Sequence, residues 1–71
     1  MDRKQLEDLI RKGGPMTGPM MDRIIAQKLV KPVGVIVPGG GLNIQTALEE
    51  AAANLRLAVP VDGRYDLYAP V

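Results

Sequence analysis

The chain has 71 residues with nine basic and eight acidic side chains, for a formal charge of +1, which leaves room for one thin-cored domain and gives no general attraction to nucleic acid or acidic membranes. It contains no Cys, His, Trp or Phe and only two Tyr, so disulfides, thiolate or imidazole metal sites and dense aromatic packing are excluded as sources of stability. What remains for so small an aliphatic chain is self-association, and the expectation is an oligomer or a protein docked on a larger body.

The charge is unevenly spread. Residues 1–31 carry seven basic side chains against four acidic ones, a net of +3, and residues 32–71 carry Arg56 and Arg64 against four acids, a net of −2. No apolar run approaches the roughly 20 residues of a membrane span, and no uninterrupted apolar stretch follows the basic residues at the start, so synthesis in the cytoplasm with no membrane partner is expected.

The first element is a short amphipathic helix. Asp2 is placed to cap it, Leu6, Leu9 and Ile10 share one face, Arg11 and Lys12 fall in the last turn, and Gly13 ends it. Its apolar stripe is narrow enough to be marginal alone in water, so residues 1–12 read either as an ordinary packed helix or as a docking arm that offers Leu6, Leu9 and Ile10 to a partner. GGPMTGPM follows, and residues 13–19 form a joint in which Gly13, Gly14 and Gly18 would act as a hinge while Pro15 and Pro19 limit helix propagation. Residues 20–71 would then be a small α+β oligomerisation domain.

A second helix is predicted from about Pro19 to Val30, with Met21, Ile24, Ile25 and Leu29 on one side and Pro32 as its stop. The β-branched run VGVIVP favours a strand. PGGGLN reads as a structural turn, because the run Gly39 to Gly41 has neither the Lys-Ser/Thr ending of a phosphate loop nor the spacing of a dinucleotide fingerprint. An alanine-rich helix, NIQTALEEAAANL, starts either at an Asn43 cap or at a Thr46/Glu49 capping box. Within it Ile44, Leu48, Ala51 and Leu55 are spaced by 4, 3 and 4 residues, the rhythm of a helical seam, and they are the expected oligomer interface. In the tail, alternation around Asp62-Gly63 predicts a β-hairpin whose Pro60 and Pro70 belong near an edge. The fold class is therefore α+β: short helices, one strand, the alanine-rich helix and a C-terminal hairpin.

The residue inventory argues against catalysis. Ser is absent along with His and Cys, and Thr17 and Thr46 have no imidazole to activate them. The carboxylate pairs Asp62 with Asp66 and Glu49 with Glu50 read as surface groups, so no catalytic residue, cofactor or metal is expected. An alternative from another class is a small winged-helix-like DNA-binding regulator with Arg64 on its wing. The helix nearest the hairpin carries two glutamates and no basic residue, so specific nucleic-acid binding is not the leading expectation.

Gly13 to Met20 resembles the Gly-Gly-x-Met-Thr-Gly-x-Leu motif that recurs in bacteriophage tail-fibre proteins. Ile44-Gln45-Thr46-Ala47-Leu48 is similar to the Val-Gln-x-Ala-Leu helical segment of phage fibre and other virion proteins. In tail fibres the first motif leads into a strand and recurs, whereas this chain has one copy followed by a helical pattern and has no room for a receptor-binding tip. The resemblance implies a short virion component, a head fibre, decoration or cement protein, that forms a homotrimer, docks on a capsid or tail protein, and resides in the virion after synthesis in the host cytoplasm.

Overall fold

The computed structural model describes residues 2–13, 18–39, 41 and 43–71. Among these residues three helices, α1 (Arg3–Arg11), α2 (Pro19–Ala26) and α3 (Ile44–Ala53), accompany three strands, β1 (Val30–Ile36), β2 (Leu57–Val61) and β3 (Arg64–Pro70). The strands form one antiparallel sheet in the order β1-β3-β2, so the class is α+β. β3 is the central strand, and β1 and β2 are the two edges.

α1 begins with a complete capping box. The Asp2 carboxylate accepts the Gln5 backbone N–H at 2.8 Å while the Gln5 side chain accepts the Asp2 N–H at 3.0 Å, which satisfies two donors that a helix start leaves without partners. Its apolar face does not stand free. Leu6 and Ile10 are 2% and 1% exposed and share a core with Met21, Ile24, Val30 and Leu57, against which Leu9 is packed. The docking-arm expectation is corrected accordingly: residues 1–12 are not a unit apart from 20–71. A stripe too narrow to hold a helix alone is wide enough once α2 and the sheet cover it.

All three helices stop by a left-handed residue. Gly13, at φ 76°, follows α1 and donates to the Ile10 carbonyl at 3.0 Å. After α2, Lys28 at φ 57° donates to Ile25 and Leu29 donates to Ile24. After α3, Leu55 at φ 58° donates to Ala52 and Arg56 donates to Ala51 at 2.7 Å. These paired 5→2 and 6→1 bonds are Schellman closures, here made with Lys and Leu where glycine is the usual choice. α2 therefore ends before Val30, earlier than the hydrophobic periodicity suggests. Pro32, expected as a helix stop, instead lies inside β1. An edge strand tolerates it because a proline without an N–H leaves no ladder bond missing on the solvent side.

β1 pairs with β3 from Val30↔Pro70 to Ile36↔Tyr65, with a register shift between Pro32 and Gly34. β2 pairs with β3 from Leu57↔Tyr68 to Val61↔Arg64. Directly opposed residues share a face, so Leu57, Tyr68, Val59 and Asp66 lie on one side and Ala58 and Leu67 on the other. The first side joins the core beneath α1 and α2 through Leu57, Val59 and Tyr68. Asp62 and Gly63 close the hairpin with φ 48° and 77°, the double positive φ of a type I′ turn.

Candidate interaction surface

Of the five large apolar side chains exposed among the described residues, Met20 and Val71 stand apart and the other three lie on or just past one strand. Val33 is 41% exposed, Val35 54% and Val37, just past the end of β1, 67%. An interior strand of VGVIV composition would be buried on both faces. Here it is an edge because β3 pairs with it from one side only, which leaves backbone donors and acceptors along the other side with no partner in the sheet.

Beside this strand lies an open cleft of about 640 Å³. Val35, Ile36 and Val37 line one part of it, Ala47 and Ala51 of α3 another, and Leu67 of β3 also contributes. Glu50, Asn54 and Arg56 add polar groups. Small residues on α3 create the hollow, since alanine at positions 47 and 51 brings little volume to a space that larger aliphatics would fill. Arg56 is half-buried and donates from Nη1 to the Asn54 carbonyl at 3.2 Å. The arrangement is an apolar hollow with a few polar groups, able to accept a side chain from another chain but lacking any nucleophile-and-base pair.

The residues expected at an oligomer interface fall in different places. Ile44 and Leu48 are half-buried on α3, Ala51 is 7% exposed within the chain's own fold, and Leu55 lies beyond the end of the helix in a left-handed conformation, packed against the core. The 4-3-4 seam is corrected on that ground. α3 stops at Ala53, and the turn at Leu55 takes that side chain off the helical stripe. The helix starts from Asn43, whose side-chain oxygen accepts the Thr46 N–H at 3.3 Å.

The hinge residues separate likewise. Gly13 is half-buried, and a Cβ there would lie 3.7 Å from the Ala52 Cβ, so it brings α1 close to α3 as well as ending the helix. Gly18, at φ 91°, is the N-cap of α2 and has open space around it. Gly14, with Pro15, Met16 and Thr17 of the same motif, lies outside the described residues.

Among the described residues six charged side chains pair with one another. Arg3 and Arg11 flank Glu7 at 3.0 and 4.0 Å along α1, Arg11 also reaches Asp8 at 3.8 Å, and Arg64 Nε donates to Asp66 at 2.8 Å. That hydrogen bond, with the carboxylate's charge, raises the Arg64 pKa further above neutrality. Asp66 is thus spoken for by Arg64, and Glu49 accepts from Gln45 at 3.3 Å. Among the described residues no group of three or more Asp or Glu is disposed to hold a metal ion, and no helix is long and apolar enough to cross a membrane.

Sequence reasoning missed the β1 edge and the cleft beside it. The signal for the strand was present in VGVIV, but its edge position depends on β3 lying between β1 and β2. No family model, curated protein or solved structure matches this chain.

Proposed function

We propose that this protein is a non-enzymatic structural component of a bacteriophage virion, a short head fibre, decoration or cement protein that self-associates and docks on a larger particle. The observation that carries a contact role is the exposed Val33, Val35 and Val37 on an unpaired sheet edge beside an apolar cleft. Contiguous apolar surface of this kind, flanked by polar groups, marks an interaction site more often than solvent-facing scaffold. The virion setting is supported by the likeness of Gly13 to Met20 and of Ile44 to Leu48 to phage fibre segments.

The DNA-binding alternative has weaker support. α3 offers Glu49 and Glu50 and no lysine or arginine, and Arg64 at the hairpin is already paired with Asp66.

The experiment is attachment. Antibody raised against the purified chain should detect it in gradient-purified particles, and added protein should co-sediment with particles that lack it. Recovery only in the soluble fraction, with no co-sedimentation, would sink the virion reading.

A further inference from the structure

We propose that β1 pairs with β1 of a second copy, antiparallel about a two-fold axis and through Val33 to Val37, to give a six-stranded sheet in the order β2-β3-β1-β1-β3-β2. The proposal rests on the self-association part of the reading above and names its surface. Its first ground is a difference between the two edges. β2 has only five residues and carries Pro60 among them, so its edge cannot present a continuous row of donors. In β1 the proline is Pro32, near the start, and the register shift against β3 falls beside it, between Pro32 and Gly34, which leaves Val33 to Ile36 and the following Val37 free of proline until Pro38 and regularly paired from Gly34 to Ile36.

The second ground is charge. Lys31 is the one ionisable side chain between Val30 and Val37, so the edge offers nothing to a charged partner strand and suits an apolar one such as itself. Orientation follows from the same residue. Parallel pairing in register would set Lys31 beside Lys31, whereas antiparallel pairing centred near Val35 sends the two ammonium groups to opposite ends, roughly 25 Å apart at about 3.4 Å per residue.

The third ground is closure. A self-complementary contact through one open edge is satisfied by two copies, and the proline-broken β2 edges at the outside of the joined sheet do not propagate it. Five residues a side make a small interface, which places the dissociation constant in the micromolar range or weaker.

Sedimentation equilibrium of the full chain from about 5 to 500 µM tests the assignment. Wild type should fit a monomer–dimer equilibrium, Val35→Lys should weaken it at least tenfold, and Leu48→Asp on α3 should leave it within about threefold, with circular dichroism confirming that each variant is folded. The absence of native cysteine permits a second measurement. Val35→Cys should form a disulfide-linked dimer at least ten times faster than Gln45→Cys under the same mild oxidation, because the two-fold brings one residue 35 close to the other. A monomer throughout the concentration range, a trimer, a dimer that survives Val35→Lys, or equal cross-linking of the two cysteine variants would overturn the proposal. A monomer that nevertheless co-sediments with particles would refute the β1 pairing while leaving the docking role in place, whereas a β1-paired dimer that ignores particles would do the reverse.

Discussion

Lys28 and Leu55 make a matched pair, with φ of 57° and 58° at the ends of α2 and α3. A left-handed conformation costs a residue with a Cβ roughly 1–2 kcal/mol, and glycine escapes it at some cost in unfolded-state entropy. Lys28 is exposed, so Lys28→Gly should stabilise the protein by about 0.5–1 kcal/mol, which for a chain this size raises Tm by several degrees. Leu55 is packed against the core, so Leu55→Gly should lose more by forfeiting that contact than it gains in backbone relief, for a net loss of about 1–2 kcal/mol. Thermal melts of the two variants should therefore move in opposite directions; equal shifts of the same sign would show that side-chain packing does not decide the outcome. Gly63, at φ 77° in the type I′ turn, belongs to the same physics, and Gly63→Ala should cost about 1 kcal/mol. The Asp62-Gly63 turn was legible because this dipeptide favours that geometry. The Lys28 and Leu55 stops were not, since nothing in either side chain announces a left-handed backbone.

At the level of elements the sharpest consequence concerns α1. With Leu6 and Ile10 in the same core as Leu57, removal of residues 1–12 should abolish cooperative unfolding rather than release a folded C-terminal domain. Ile10→Ala alone should cost about 2–5 kcal/mol, and Leu9→Ala, at a half-buried position, about 1. Circular dichroism of the truncated chain decides it: native-like ellipticity with a sharp melt would restore the docking-arm reading. A sequence shows that α1 is amphipathic but not what lies across from its apolar face, because Val30 and Leu57 reach that site only through the tertiary fold. The same limit explains the alanine-rich helix. Its a/d spacing was visible, yet Ala51 faces inward and the chain turns at Leu55, outcomes set by how α3 packs on β2. What local pattern determines, such as the Asp2 cap, the three helices and the hairpin, could be read directly. What depends on strand order, namely the β1 edge and the cleft, could not.

For the whole molecule, the largest fully buried side chains are Ile10 and Leu57, so the core is aliphatic and small. Association that links folding to a second copy makes stability depend on protein concentration, and a hundredfold dilution from 500 µM should lower Tm by a few degrees if the chain dimerises. A Tm independent of concentration would argue for a self-sufficient monomer. The formal charge of +1 bears on partners at the same scale. Few phosphates can be neutralised at once, so binding to duplex DNA should be weak and disappear by about 0.2 M salt. Sequence-selective binding that persists there would promote the DNA-binding alternative.

The strand that joins the sheet is β3, the last of the three to be made, while β1 and β2 do not touch as neighbours. During synthesis the sheet therefore has no nucleus until Arg64 to Pro70 have left the ribosome, and a nascent chain that stops at Gly63 has two strands with nothing between them. Closing Val30 onto Pro70 then spans forty residues, which makes that pairing a late and comparatively slow event. Until it occurs, both sides of the valine-rich β1 are available to other nascent chains on the same message. High expression should thus favour aggregation over yield, and slowed translation should rescue soluble protein more effectively than substitutions that strengthen the helices.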